Sequence, residues 1–129
     1  TIRPRFAKGG EQLALLDEKT IELRSGTMVI TDDSGPVGLA GIMGGLSTAV
    51  TETTRDVFFE AAFWPPDIMA GQARSYGMHT DASLRFERGV DPTGQARAVE
   101  RATELLLAIA GGSAGPLQLV NNEEHLPKP

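Results

Sequence analysis

Apolar and polar positions alternate along the first third of the chain with the period of β-strands. "TIRPRF" (residues 1–6) already has the look of a strand. "QLALL" (12–16) and "TIELR" (20–24) flank the polar Asp17, Glu18 and Lys19 and predict a hairpin with a short loop. "TMVIT" (27–31) predicts the next strand, "DDSG" (32–35) a turn, and "PVGLAGI" (36–42) another strand. A loop rich in small and hydroxyl residues then runs to Asp56. The period of two returns in "DVFFEAAFWPP" (56–66), now with both faces apolar. Val57, Phe59, Ala61 and Phe63 fall on one face, and Phe58, Glu60, Ala62 and Trp64 on the other. The expectation is a strand over 57–63 that is buried on both sides.

At Pro65 the pattern changes. Pro65 and Pro66 stop the strand and start a helix, because an N–H in the first helical turn has no intrahelical partner to lose. Met69, Ala73 and Tyr76 recur at helical spacing, and Gly77 supplies a C′ stop. A longer helix is predicted from Asp91-Pro92, an N-cap and N1 pair, with Val99, Ala102, Leu105, Leu106 and Ile109 as its apolar stripe and Gly111-Gly112 as its end. "HTDASLRFERGVDP" (79–92) is either a short helix or an ordered loop; its pattern does not decide. "LQLV" (117–120) reads as a last strand, and 121–129 as a polar, proline-bounded tail. There are no internal repeats. The fold class expected is α+β: antiparallel strands and hairpins forming a partly open, barrel-like sheet with two to three helices packed on it, in one domain over 1–129.

Within this pattern Glu60 is out of place. An unpaired buried carboxylate costs several kcal/mol or gives up its charge. Two readings account for it: a pairing with one of the arginines, or a carboxylate at the bottom of an apolar pocket that accepts a hydrogen bond from a ligand's hydroxyl or amine.

Composition narrows the function classes. The 129 residues carry a formal charge of −5, which speaks against a general grip on nucleic-acid phosphates. Lysine occurs only as Lys8, Lys19 and Lys128; the other cations are arginines, several of them between Arg74 and Arg101, suited to fixed bidentate contacts. With no cysteine and only His79 and His125 as imidazoles, neither a disulfide framework, a thiolate metal site nor a histidine metal cluster can be built. No apolar run approaches the length of a membrane span.

Two further stretches are chemically suggestive. "GLAGIMGGL" (38–46) holds Gly38, Gly41, Gly44 and Gly45, which permit a bulge and tight turn or the close approach of a ligand. It is not a phosphate loop, since no Lys-Ser/Thr follows. "HTDAS" (79–83) offers an ordinary helix N-cap, or a loop whose backbone N–H groups and Thr80 hydroxyl hold a water or a carbonyl oxygen. His79, Asp81 and Ser83 lie too close in sequence to face one another as a catalytic triad.

Taken together, "GIMGG", "FFEAAFW" with its following proline, "ARSYGMHTDASLRFERGVDP" and "ERATELLL" followed by Gly-Gly resemble the B3/B4 domain of the bacterial phenylalanyl-tRNA synthetase β subunit. The resemblance covers nearly the whole chain, and 79–92 is its most specific stretch. It implies that the chain is a piece of a longer β subunit, and that its activity is editing: hydrolysis of tyrosine misacylated onto phenylalanine tRNA. By the same resemblance Glu60 recognises the phenolic hydroxyl, with Gly41 backbone beside it. Gly44 is a second pocket glycine, and Thr80 and Ala82 line the site near the scissile ester, Thr80 placing the attacking water or the carbonyl. A histidine of the family's site lies upstream of Thr1, and His79 matches a different position. The implied partners are the 3′ end of misacylated tRNA, the synthetase α subunit and other β-subunit domains in an α2β2 heterotetramer, in the cytoplasm and without a membrane. No cofactor or metal is implied for this domain, ATP and magnesium belonging to the parent enzyme. The alternative is a non-catalytic module that docks tRNA or a subunit.

Overall fold

Strand pairing follows the hairpins of the sequence. In the computed structural model, which describes residues 1–128, β1 (Arg3–Phe6), β4 (Met28–Asp32), β5 (Gly35–Leu39) and β6 (Met43–Gly44) form a four-stranded antiparallel sheet in the order β1-β4-β5-β6. β2 (Gln12–Ala14) and β3 (Thr20–Glu22) form the separate predicted hairpin. β4 alternates as a one-sided strand should, with Val29 and Thr31 buried between less buried neighbours. The β4–β5 turn is held by the Asp32 carboxylate, which accepts from Ser34 Oγ at 2.5 Å and Ser34 N at 2.8 Å. A register shift between Ile30 and Thr31 accommodates Pro36, which has no N–H for the ladder.

The two sheets meet at the glycine loop. Leu15 bridges Gly45, Leu16 N donates to Gly44 O at 3.1 Å, and Leu46 N donates to Ala14 O at 2.9 Å. The large sheet is not closed: β1 and β6 remain its two edges, and the hairpin joins it at the β6 end. Its core joins Leu13, Leu15 and Leu23 of the hairpin region to Val29 and Leu39 of the large sheet, and is capped by Trp64, Met69 and Ala73. Met69 lies in α1 (Pro66–Met69) and Ala73 in α2 (Gln72–Ser75). Beyond α2 the Tyr76 hydroxyl accepts from Arg24 N at 3.0 Å and shares a hydrogen bond with Thr27 Oγ1 at 2.6 Å, so the helices are fastened to the turn before β4.

Four sequence expectations are corrected. Residues 54–65 run without helix, turn or bend, but no strand pairs with them, and Val57 and Phe58 are exposed. A strand needs a partner ladder as well as an alternating pattern, and among the described residues none is offered. The helix expected from Pro65 is two short helices, because Gly71 adopts φ +74° and interrupts it. The long helix, α4 (Gln95–Ala110), begins at Gln95 rather than Pro92: Asp91 turns its carboxylate onto Thr93 Oγ1 (2.7 Å) and N (2.8 Å) in a local turn. Its stripe is only partly packed: Val99, Ala102 and Leu106 are half-buried, whereas Leu105 is exposed and Ile109 is 82% exposed. Residues 117–120 form no strand, and Leu119 and Val120 face solvent. The undecided stretch 79–92 contains α3 (Asp81–Arg88), capped by Thr80. The tail holds a short 3-10 turn at Glu123–His125; its last residue, Pro129, lies outside the described residues.

One ion pair bears on acid stability. Arg5 grips Glu11 bidentately, at 2.6 and 2.9 Å, and Lys8 N adds a third hydrogen bond at 2.7 Å. These contacts, Arg5 first, hold the Glu11 carboxyl at about 2. A carboxyl lowered on folding adds stability above its unfolded pKa and loses it as pH falls through the folded value. The stability advantage of the native chain over Glu11→Gln should therefore be full above about pH 4.5 and close as pH falls towards 2. Urea denaturation series at successive pH values would measure it, and a gap independent of pH would contradict the pairing.

Candidate functional site

A groove of about 830 Å³ runs between the β5–β6 loop, the segment 56–62 and one face of α3. Four of the residues singled out in the sequence line it: Gly41, Gly44, Glu60 and Ala82. Phe86 joins Ala82 from the next turn of α3, as residues four apart on a helix must. Most of the remaining wall is apolar, including Ile30, Val37, Leu39 and Phe58. Its charged lining side chains are Asp32, Asp56 and Glu60.

The Glu60 carboxyl has its pKa raised, and the cause is desolvation. The residue as a whole is exposed. The two facts agree for a carboxylate on a groove wall, where protein crowds the carboxyl while one side stays open to solvent. No hydrogen-bonding or charged neighbour offsets that loss of hydration, so the pairing with an arginine does not occur among the described residues.

Each glycine of the loop has its own reason. Gly41 has φ +66°, and a Cβ there would stand 2.6 Å from Met69 Cε, 3.0 Å from Trp64 Cδ1 and 3.1 Å from Phe86 Cδ2. The chain thus needs glycine for both backbone and packing at the point where the groove meets the core. At Gly44 a Cβ would meet only the end of the Leu16 side chain, at 3.2 Å, so a substitution there would intrude on the groove more than on the fold. Gly45 is buried, and a Cβ would lie 2.0 Å from the Val37 carbonyl oxygen, a contact that only backbone movement could relieve.

Thr80 is not on the groove wall but controls it. As N-cap of α3 its hydroxyl accepts from Ser83 N at 3.1 Å and donates to Ile42 O at 2.9 Å, tying the helix to the glycine loop. A hydroxyl has one hydrogen and two lone pairs, so one lone pair stays free, and Thr80 can orient a water by accepting from it. Ser83 completes the capping box, its Oγ accepting from Thr80 N at 3.2 Å while donating to Thr80 O at 2.9 Å, and is not placed as a nucleophile. His79 is exposed, in keeping with the absence of a triad in the sequence. Ahead of Ser83, the N–H groups of Asp81 and Ala82 occupy the first helical turn, where no intrahelical acceptor exists.

A smaller depression of about 200 Å³ adjoins the groove across Ala61 and Ala62, bounded by Phe86, Val90, Gln95 and Ala98, and has no charged side chain. Gln95 Nε2 reaches Ala62 O at 3.2 Å and Asp91 O at 2.8 Å, so α4 helps to fix the segment that carries Glu60. Among the described residues no three His, Asp or Glu side chains could jointly hold a metal ion, and no helix is long and apolar enough to cross a membrane. Asp56, Phe86 and the steric role of Gly45 were not singled out in the sequence. The period-two relation of Asp56 to Glu60 and the four-residue spacing of Ala82 to Phe86 were the signals for the first two.

A family model for the B3/4 domain matches residues 1–111. The chain is similar to the phenylalanine–tRNA ligase β subunit of Hahella chejuensis, 54% identical over 123 residues, 95% of this chain and 16% of that protein. The β subunits of Idiomarina loihiensis (54%) and Haemophilus influenzae (53%) each align over 127 residues, 98% of this chain and 16% of theirs. The chain thus spans about one sixth of the length of the relatives it matches.

Proposed function

The chain belongs to the B3/4 domain family, and from that premise we propose that it is the editing site of a phenylalanine–tRNA ligase β subunit, hydrolysing tyrosine misacylated onto phenylalanine tRNA. The need for such a site is physical. A hydrophobic pocket rejects a substrate that merely adds a hydroxyl by only ~10²-fold, whereas a site built to bond that hydroxyl rejects the analogue lacking it by ~10⁴–10⁵. The observation that carries the reading is the Glu60 carboxyl: desolvated, without a partner, and on the wall of an apolar groove. Tyrosine satisfies it, and phenylalanine leaves it without a hydrogen bond.

In the mechanism, water adds to the ester carbonyl, the carbonyl–ribose C–O bond breaks, and the ribose oxygen takes up the proton. An aminoacyl ester is already reactive, so placing water and carbonyl supplies much of the acceleration. Ala82, which lines the groove in the first turn of α3, brings that turn's N–H groups towards the developing oxyanion charge. Thr80 acts from off the wall, positioning them and the water by capping α3 and holding it to Ile42 O. No step calls for a metal or cofactor in this chain; ATP and magnesium serve the parent ligase elsewhere, with the α subunit as partner in a heterotetramer.

NMR titration of this chain with L-tyrosine and L-phenylalanine tests the reading. Tyrosine should shift resonances of Gly41, Glu60 and Ala82, phenylalanine should not, and Glu60→Ala should abolish the difference. Equal responses to the two amino acids would favour the second reading, a module that only docks tRNA or a subunit.

A further inference from the structure

The groove's charge makes a demand that the hydroxyl reader does not meet. Asp32, Asp56 and Glu60 line it, and no lysine, arginine or histidine does. Such a wall repels phosphate and attracts a cation, and among the described residues no three acidic or histidine side chains are grouped to make that cation a metal. An organic ammonium fits. Esterified tyrosine presents one, its free α-ammonium, at the end opposite its phenol.

Asp56, Val57, Phe58, Glu60, Ala61 and Ala62 line the groove on a run without turn or bend, and of these Asp56 and Glu60 carry the charge, with the Phe58 ring between them. Four residues of such chain span at most ~14 Å. Tyrosine's own length with a hydrogen bond of ~2.8 Å at each end comes to roughly 13 Å. The three side chains thus form a ruler: a carboxylate, an aromatic ring, then a second carboxylate. Of the two candidates for the ammonium, Asp32 already accepts from Ser34 N and Oγ, whereas Asp56 takes part in none of the salt bridges of the described residues.

We infer that Asp56 binds the α-ammonium of the aminoacyl group, with Phe58 against the aromatic ring and Glu60 at the phenol, so that the groove selects for a free amino group as well as for a hydroxyl. This rests on the editing reading and deepens it. Anchoring both ends fixes where the ester carbonyl lies along the groove. N-blocked tyrosyl esters and peptidyl esters, which have lost the ammonium, would be poor substrates.

Ligand-observed NMR affinities on this chain provide the test, with three probes: tyramine, which has both groups; phenethylamine, which lacks the hydroxyl; and 3-(4-hydroxyphenyl)propionate, which lacks the ammonium. Tyramine should bind at least tenfold more tightly than the propionate. Asp56→Asn should weaken tyramine at least tenfold and leave the propionate unchanged, and Asp56→Glu should restore part of the loss. An unchanged tyramine affinity in Asp56→Asn, a loss that follows Asp32→Asn instead, or no binding of tyramine by the native chain would each overturn the inference. Phenethylamine separates the two proposals. If it binds as well as tyramine and still depends on Asp56, the ammonium site stands and the hydroxyl reading fails.

Discussion

Gly45→Ala is expected to lose at least ~3 kcal/mol of stability, a fall in Tm on the order of 10 °C for a chain of this size. The added carbon would stand 2.0 Å from the Val37 carbonyl oxygen and 2.8 Å from its carbonyl carbon. Neither is the movable end of a side chain. Val37 belongs to β5, which pairs with β6 just before Gly45. Relief would have to pull the glycine loop away from β5 within the large sheet, at the point where Leu15 of the hairpin also bridges it. Gly44→Ala is the matched comparison. Its neighbour is the exposed Leu16 side chain, which can swing aside, so its melting temperature should stay close to the native value while tyrosine binding weakens. Thermal melts by circular dichroism decide the matter; a Gly45→Ala melt within ~2 °C of the native chain would refute the steric argument.

Glu60→Ala should reduce the preference for tyrosyl- over phenylalanyl-tRNA in deacylation by ~10²-fold or more, because the carboxylate is the side chain that reads the hydroxyl by which the two esters differ. Glu60→Gln keeps a neutral acceptor in place and should lose less, about tenfold. The same substitution has an effect of opposite sign on stability. Desolvation raises the Glu60 pKa in the folded chain, so the folded state holds its proton to higher pH than the unfolded one. Native stability should therefore fall as pH rises from the ordinary carboxylate range, ~4.3, through the raised value. At neutral pH Glu60→Gln, which has no charge to desolvate, should be the more stable protein. A variant that gains stability while losing selectivity is the signature of a carboxylate kept for a ligand. Paired urea and deacylation measurements that moved in the same direction would contradict that assignment.

Much of the architecture was legible because local rules decided it. The β2–β3 hairpin, the Asp33-Ser34 turn and the stop at Gly77 follow from turn chemistry and short-range pairing. The Thr80 cap was one of two readings of its stretch, and the structure realises it while also turning the hydroxyl onto Ile42. Elsewhere local rules competed and the weaker signal won. Asp91 looked like an N-cap, yet its carboxylate closed a turn onto Thr93 and delayed α4 to Gln95. At Gly71 one left-handed residue interrupted an otherwise helical spacing. Residues 57–63 and 117–120 have strand patterns without strands, because alternation states which side chains could share a face and not which chain lies alongside.

By itself, then, the sequence determined the antiparallel α+β class, the β2–β3 hairpin and the β4–β5 turn, the need for glycine in the 41–45 loop, the oddity of Glu60 and the resemblance that gave it a role. Each of these depends on a few neighbouring residues, whereas the order of strands in the sheet, with β1 beside β4, came from the structure. Only the tertiary structure decided that Gly41, Gly44, Glu60 and Ala82 share one groove, that among the described residues Glu60 has no arginine partner, that Asp56 stands in the same wall, and that Gly45 rather than Gly44 bears the steric load. The groove turns on distances between segments far apart in the chain, and the load on Gly45 on how β5 and β6 lie side by side; both are set by how strands and α3 pack, which no local pattern encodes.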